Sequence, residues 1–417
     1  MGISVNFANS AVMFFMVGLL VTLTAVSCRD ALPVCQDPLG CVTIRPNDSI
    51  QIATMLSMSG STAVVGEDAL RGVELAVAER DGELLNHKIE LLSFDSGCNQ
   101  RLGGRAAETI AENNAVLGII GPTCSDVARS VIPIVNEAGL LLISPSATAS
   151  NLTDDQPEAM VRRQRSFWRT VPNNLTQAQV AAMYVYQVLG KRTAVTIHDG
   201  TAYARELQQE FSQTFQRLGG NVQFQGSVVV GETAVQDILT ELVVEEPEVF
   251  YLPVFAPEAN LIALRLLEMN ESEGITLIGA DSLLTSEFAV SVESAAENML
   301  VSGTAVHGPR YDAFLEEWST QYEAEPMSVY HAHAYDATRM LMDVISEVAV
   351  QRGDSLLIGR SALRDGMGEI INYPGVTGSI TCQSAGDCAA AAGVGIYQFS
   401  NDEISGKNWP PEIVWTP

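Results

Sequence analysis

The sequence predicts an α/β fold with two similar units, each built around a parallel sheet. Short apolar strand-like segments alternate with helix-like segments over most of the chain, and they do so in two series of similar size. Parallel strands need crossover connections, usually helices, so this alternation predicts parallel sheets with right-handed crossovers. The 417 residues, of which 47% are hydrophobic, are enough to bury a sizeable core in each unit.

The first series begins at about Asp48. Its predicted strands lie at 50–56, 88–94, 116–120 and 140–144. Its predicted helices span 66–82 and 103–114, and a third starts at Ser125. In the first of these helices Ala69, Val73 and Ala76 keep the spacing of a buried helical face.

The second series follows "WRTVPNN" at 168–174. Its predicted helices lie at 176–189, 203–218, 234–243 and 258–269, and its predicted strands lie at 193–198, 222–229, 248–252 and 275–279. Ligands of open parallel sheets bind beyond the carboxyl ends of the strands, so the loops after the strands are the candidate binding segments. They are "SMSGS" (57–61), "GPTCSD" (121–126), "SPSATAS" (144–150), "HDGTAY" (198–203), "PVF" (253–255) and "GADS" (279–282).

These loops are rich in small and hydroxyl-bearing residues, which suit a carboxylate ligand. Ser125 opens a helix, whose free N–H groups and dipole favour an anion, and Thr148 can add a hydroxyl and an N–H. Asp281 is placed to attract an ammonium group. Each feature also has a plain structural interpretation: Ser125 as a helix cap, 146–150 as a turn, and Asp281 as a turn or capping residue.

The composition argues against other classes of protein. With 23 Lys and Arg against 50 Asp and Glu, the net charge of -27 disfavours a nucleic-acid binder, which needs clustered cations. The sequence contains no GxSxG, P-loop or HExxH motif, so we expect neither an enzyme nor a cofactor. His331 and His333, spaced by one on a predicted helix, do not share a face, so we expect no metal site there.

The N-terminus predicts export. Residues 11–26 are apolar but short for a membrane span, and "AVSC" ends at Cys28. A small residue before cysteine resembles the lipobox of bacterial lipoproteins, so residues 1–28 are predicted to be a signal peptide and Cys28 the lipidated residue. Ordinary secretion and a retained helical anchor are the alternatives. The proline-containing segment 29–47 is predicted to be a tether.

The other six cysteines suit an oxidising compartment. They fall into near pairs along the chain, which are Cys35 with Cys41, Cys98 with Cys124, and Cys382 with Cys388. No pair has the CxxC spacing of a zinc site.

Several segments together carry a resemblance to a known family. "MSGS", "GPTCS", "ISPSAT", "HDGTAY", "GADS" and "GVTGSI" occur in this order, and as a set they resemble the branched-chain amino-acid binding proteins of type I periplasmic-binding fold, from about residue 48 to 400. The resemblance implies two Rossmann-like lobes joined by a three-crossover hinge, with crossings near Val171, Ser302 and Thr377. The first lobe would then comprise 48–170 with 303–376, and the second 171–302 with 377–417.

The same resemblance implies roles for individual residues. Ser125 and Thr148 would hold the ligand carboxylate, and Asp281 would supply the counter-charge of its ammonium group. Further ligand-binding residues would be Ser146 through its carbonyl, Ala147 beside it, Tyr203 closing from the second lobe, and Phe255 and Tyr330 lining the pocket. Cys98 and Cys124 match a disulfide of the family's first lobe.

Three departures from the family pattern are visible. Val65 stands where branched-chain binders have an aromatic wall, Asp281 is one methylene shorter than their glutamate, and "ITCQSAGDC" replaces an acidic hairpin. The last departure suggests a small extra disulfide between Cys382 and Cys388.

The resemblance implies an extracytoplasmic binding component of an ABC importer, anchored by lipid or free in the periplasm. It would act as a monomer, take an amino acid or related small zwitterion, and serve a separate permease and ATPase. A ligand-sensing subunit of a signalling receptor and an amide- or urea-binding transport protein are the alternatives.

Overall fold

The computed structural model describes residues 1–2, 35–153, 166–229, 235–244, 246–269, 272, 274–390 and 393–417. Cys28, most of the predicted signal peptide and the start of the predicted tether lie outside these ranges. Residues 35–417 form one structural unit. No helix within the described ranges combines the length and apolarity needed to cross a bilayer.

The folded body begins before Asp48, which corrects the predicted extent of the tether. Strand β1 (Cys41–Ile44) pairs antiparallel with β14 (Ser355–Gly359), which also pairs with β13 (Val350–Arg352). The side chains of Val42 and Ile44 are buried in the core of the first lobe. Four residues flanked by proline-containing segments are too few to show a strand period, which is why the sequence pattern did not reveal β1.

The first lobe is built around a six-stranded sheet. Its strands are β2 (Ile50–Leu56), β3 (Glu83–Leu84), β4 (His87–Asp95), β5 (Val116–Ile120), β6 (Leu142–Ser144) and β7 (Phe167–Arg169). They lie in the order β3-β4-β2-β5-β6-β7, and all pairs are parallel except β3 with β4. The four strands predicted for the first series are therefore present.

The second lobe is built around a seven-stranded sheet. Its strands are β8 (Thr193–His198), β9 (Asn221–Ser227), β10 (Val249–Leu252), β11 (Thr276–Gly279), β12 (Leu300–Thr304), β17 (Val394–Gln398) and β18 (Glu412–Trp415). Their order is β18-β17-β12-β11-β10-β8-β9, and only β17 and β18 join it antiparallel. A separate hairpin is formed by β15 (Tyr373–Gly375) and β16 (Gly378–Ile380). The predicted α/β class with parallel sheets is confirmed.

Helices cover the two sheets. They are α1 (Ala63–Ala78), α2 (Gln100–Glu112), α3 (Ser125–Glu137), α4 (Asn174–Met183), α5 (Ala202–Leu218), α6 (Gln236–Val244), α7 (Glu258–Glu268), α8 (Ser286–Val292), α9 (Pro309–Tyr322), α10 (His331–Val348), α11 (Arg360–Gly368) and α12 (Asn401–Ile404). The helix predicted at 176–189 ends in a π-helical turn, Tyr184–Val188. In the described part of the chain, 3₁₀ turns lie at Ser150–Thr153, Asp281–Leu283 and Glu293–Ala296.

The chain crosses between the lobes after β7, after β12 and between Cys388 and Val394. The third crossing lies later than the predicted position near Thr377, because Ile380, Cys382 and Cys388 are buried in the core of the first lobe. The hairpin that carries them thus belongs to the first lobe.

His333 on α10 joins two of these crossings. Its Nδ1 lies 2.9 Å from the carbonyl oxygen of Thr170, and its Nε2 lies 2.7 Å from Oγ1 of Thr304. Burial lowers the pKa of His333 to about 3, so the ring is neutral at physiological pH. A buried neutral imidazole with both nitrogens satisfied is a structural element of the hinge.

Candidate ligand-binding site

A cavity of about 320 Å³ lies between the two lobes, at the carboxyl ends of their strands. The first lobe contributes Gly60, Ser61, Thr62, Val65, Gly97, Cys98, Thr123, Cys124, Ser125, Asp126, Ser146, Thr148 and Tyr330; the second contributes Asp199, Thr201, Tyr203, Phe255, Ala256, Pro257, Glu258, Asp281 and Ser282. This volume suits a small-molecule ligand.

One end of the cavity presents hydrogen-bond donors from the loop after β6. Ser144 Oγ accepts the N–H groups of Ser146 and Ala147 at 3.3 and 2.9 Å, and Ser125 Oγ accepts that of Ala149 at 3.0 Å. Within the described residues the N–H of Thr148, between them, has no protein acceptor. Hydrogen bonds inside the loop therefore leave this N–H for the cavity that Thr148 lines.

The N-terminus of α3 adds to the same end. Its N-cap residue, Cys124, has no side-chain capping hydrogen bond, and Ser125 is the first helical residue. Ser125 is buried, lines the cavity, and can donate its hydroxyl proton because its oxygen already accepts from Ala149. First-turn N–H groups, the helix dipole and two hydroxyls together suit a carboxylate.

The second lobe presents a buried carboxylate. Asp281, in the short 3₁₀ turn after β11, is 4% exposed. Oδ1 accepts hydrogen bonds from Gln177 Nε2 at 2.7 Å and from the Tyr203 hydroxyl, and Oδ2 accepts one from the Tyr330 hydroxyl. All three donors are uncharged.

The electrostatics around Asp281 favour a cationic ligand group. Burial raises the pKa of the Asp281 carboxyl above its usual value, because desolvation outweighs the hydrogen bonds from Tyr203, Tyr330 and Gln177. Among the residues that the structure describes, those lining the cavity include no Lys, Arg or His. An ionised Asp281 is therefore left without a protein counter-charge in the cavity, which an ammonium group would supply.

The cavity walls between these two ends are largely apolar. The rings of Tyr203 and Phe255 lie 5.0 Å apart, and Asp199 Oδ2 fixes the backbone N–H of Phe255 at 3.0 Å. Val65, on α1, lines the cavity as well. The disulfide Cys98–Cys124 also lines the cavity.

The structure brings together most of the residues singled out in the sequence. Seven of them line the cavity: Ser125, Ser146, Thr148, Tyr203, Phe255, Asp281 and Tyr330. Ala147 does not, because its side chain is buried in the core of the first lobe. Disulfides also join Cys35 to Cys41 and Cys382 to Cys388.

Sequence reasoning missed two residues that organise the site. Gln177, on α4, holds Asp281, and Arg169, at the end of β7, donates to the carbonyl oxygens of Ala147 and Ala149. A glutamine inside a helix and an arginine at the end of an apolar strand carry no local signal of such contacts. Only the fold reveals them.

The two histidines of the "HAH" segment form hydrogen bonds inside the protein. His331 Nδ1 lies 3.0 Å from Asp68 Oδ2 and its Nε2 lies 2.9 Å from the hydroxyl of Tyr311, whereas His333 faces the crossings. The two rings thus have separate partners, as expected for alternate residues of a helix.

Comparison with known proteins places this geometry in a family. The sequence profile of the periplasmic binding protein family matches residues 49–402. The Leu/Ile/Val-binding protein BraC3 of Rhizobium johnstonii is 26% identical over 85% of this chain and 93% of its own length. The Leu/Ile/Val/Thr-binding protein of Salmonella typhimurium is 24% identical over 61% of this chain and 68% of its own.

Solved structures share the fold. The branched-chain amino-acid substrate-binding protein LivJ of Streptococcus pneumoniae, in complex with isoleucine, gives a TM-score of 0.76 at 22% identity, over 88% of this chain and 100% of that one. A solute-binding protein of R. palustris in complex with benzoate gives 0.74 at 19% identity, over 88% and 96%. With the profile match over most of the chain, these findings show that the chain belongs to the periplasmic binding protein family, as a type I member related to the branched-chain amino-acid binders.

Proposed function

We propose that the protein binds an amino acid between its lobes and serves as the extracytoplasmic binding component of an ABC importer. The observation that carries the proposal is the pairing of opposite recognition chemistries across one cavity. Ser125 and Thr148 offer donors for a carboxylate, and Asp281 offers a buried acceptor for an ammonium group. Relatives named as Leu/Ile/Val-binding proteins support a branched-chain or similar side chain.

The same observation argues against a simple aromatic acid. Fold neighbours include proteins solved with benzoate or 4-hydroxybenzoate, which lack an ammonium group. Such an anion would leave Asp281 buried without a positive partner. An amino acid satisfies both ends of the cavity.

Leucine and three analogues test this proposal by thermal shift. 4-Methylpentanoate lacks the ammonium group of leucine, leucinamide lacks its carboxylate, and benzoate lacks both the ammonium group and the aliphatic side chain. A ligand that binds only the folded form stabilises it by about 2.7 kcal/mol at one hundred times its dissociation constant. We expect a rise in melting temperature with leucine that all three analogues fail to match. Equal stabilisation by 4-methylpentanoate or benzoate would contradict an amino-acid site.

Two variants localise the effect. Asp281→Asn should abolish most of the leucine shift, because losing one partner of a buried charge pair costs about 2–5 kcal/mol. Asp126→Asn is the matched control: Asp126 also lines the cavity, but it is paired with Arg129 at 2.8 Å and its side chain is 30% exposed. Asp126→Asn should leave the shift nearly intact.

We further propose that Cys28 carries lipid and holds the protein at the membrane, where a separate permease and ATPase receive the ligand from a monomer. The "AVSC" sequence supports lipidation. Cys28→Ser should move the protein from the membrane to the soluble fraction. Retention of the Cys28→Ser protein in the membrane fraction would show that another anchor acts.

A further inference from the structure

We propose that the small disulfide loop 382–388 positions the carboxylate-binding loop, so that ligand affinity depends on a residue that never touches the ligand. The positioning residue is Asp387, and it acts through Arg169. This inference rests on the proposed function, because it assumes that Thr148 binds the ligand carboxylate.

Arg169 sits directly behind the carboxylate-binding loop. Its guanidinium is fully buried, and Nη1 donates to the carbonyl oxygens of Ala147 at 3.2 Å and Ala149 at 2.7 Å. These two residues flank Thr148. With both flanking carbonyls turned toward Arg169, the Thr148 segment is held in one orientation on the other side of the loop.

The disulfide loop supplies the counter-charge of Arg169. Nε of Arg169 lies 2.5 Å from Oδ1 of Asp387, and Nη2 also donates to the Thr153 hydroxyl. That hydroxyl in turn lies 3.0 Å from Oδ2 of Asp387. Asp387 is thus the ion-pair partner of Arg169, whose side chain has no exposed surface.

The loop itself is held to the same residue through its backbone. The N–H of Arg169 donates to the carbonyl oxygen of Gly386 at 2.9 Å, and the N–H of Cys388 donates to that of Arg169 at 2.8 Å. Inside the loop, the N–H of Gln383 donates to the carbonyl oxygen of Asp387 at 2.7 Å. The disulfide closes this short loop at its ends, so the Asp387 carboxylate is presented to Arg169 from a constrained backbone.

Removing the Asp387 charge leaves the buried Arg169 without a counter-charge among the described residues, and a buried unpaired guanidinium seeks solvent or other acceptors. Its hold on Ala147 and Ala149 then weakens. The carboxylate-binding loop loses its fixed orientation while the rest of the first lobe keeps its packing.

The chain supplies a matched control. The disulfide Cys35–Cys41 spans the same sequence separation of 6 residues, and Asp37 inside it accepts hydrogen bonds from the backbone N–H groups of Ser361 and Ala362. Asp37→Asn therefore removes a hydrogen-bonded carboxylate from a disulfide loop of equal size that contacts the start of α11. It should lower stability without changing ligand affinity.

The experiment combines calorimetric binding of leucine with amide hydrogen exchange of the ligand-free full chain. Asp387→Asn should weaken leucine binding about tenfold and speed exchange in segment 144–153, whereas Asp37→Asn should change neither. Asp387→Glu, which keeps the negative charge, should recover part of the leucine affinity and part of the protection from exchange. The double variant Cys382→Ser/Cys388→Ser should also speed exchange in segment 144–153, but by less than Asp387→Asn does.

Unchanged exchange in 144–153 and unchanged leucine affinity for Asp387→Asn would overturn the inference. If the wild type binds no amino acid, the proposed function fails on its own, and the exchange measurement still decides whether Asp387 positions the loop.

Discussion

The hydroxyl of Tyr330, from the first lobe, donates a hydrogen bond to the carboxylate of Asp281, from the second lobe. This bond links the two chain segments directly, at the cavity that both residues line. Together with Tyr203 and Gln177, it holds both oxygens of Asp281 in fixed directions before any ligand enters. The candidate ammonium site is therefore pre-organised by uncharged donors, which leaves the charge available to the ligand.

Tyr330→Phe should weaken amino-acid binding at least tenfold, since a hydrogen bond to a charged group contributes about 1.5–3 kcal/mol. The ring stays, so the apolar wall is kept. Calorimetry at pH 7 measures the change. Phe255→Leu serves as the comparison, because Phe255 contributes a ring to the same cavity and has no hydroxyl. A Tyr330→Phe protein with wild-type affinity would show that Tyr330 acts only through its ring.

Ligand binding should depend on pH through Asp281. Burial raises the pKa of Asp281, so in the ligand-free protein its contribution to stability is full below the unfolded value of about 3.8 and is lost as pH rises through the folded value. An ammonium ligand favours the ionised form. The leucine-induced rise in melting temperature should therefore grow from pH 4 to pH 7, and it should stay flat in Asp281→Asn. A shift that is independent of pH in the wild type would argue against this role.

The hinge should lose stability on acidification through His333. Burial lowers its pKa from 6.5 to about 3, so the stability it contributes is full above about pH 6.5 and is lost as pH falls toward 3. Asp336, on the same helix, opposes this trend, because burial raises its pKa to about 6 and its contribution is lost as pH rises through that value.

Replacement of the imidazole separates the two groups. His333→Gln should remove the loss of stability that occurs as pH falls from 6.5 to 3. The opposite dependence of stability on pH that Asp336 contributes should remain. Urea unfolding at pH 4 and pH 7 gives the net change in stability of each protein, and the difference between wild type and His333→Gln is the contribution of His333. An unaltered pH profile in His333→Gln would mean that His333 is not the titrating group.

Ligand size should depend on Val65. This residue lines the cavity where branched-chain binders have an aromatic wall, and it is 7% exposed. Val65→Phe would fill part of the 320 Å³ cavity. We expect affinity to fall for leucine and methionine and to be kept better for alanine and valine, as measured by competition binding. A uniform loss for all four would indicate a distorted site instead of a smaller one.

The regular elements could be predicted because their apolar residues repeat with the period of the structure. Strand β2 was predicted with its observed bounds, Ile50–Leu56, and the start of α3 at Ser125 was also correct. The position of the third crossing could not be predicted. The residues that place 378–388 in the first lobe lie in a short hairpin whose sequence has no clear period.

The candidate site was predictable where the family pattern names a residue, and hidden where contacts join distant parts of the chain. Asp281 stands in a recognisable "GADS" loop. Its partner Gln177 is 104 residues away, and Arg169 is 218 residues from Asp387. Local sequence patterns do not indicate such pairs, because only the folding of both lobes brings the paired residues together.

A double-mutant cycle between protein and ligand tests the central claim most directly. Calorimetry would give the affinities of wild type and Asp281→Asn for leucine and for 4-methylpentanoate. The two changes remove the two partners of one proposed ion pair. We predict that Asp281→Asn weakens leucine binding about 30-fold or more and leaves 4-methylpentanoate unaffected or bound more tightly. Equal weakening of both ligands would contradict recognition of an ammonium group by Asp281.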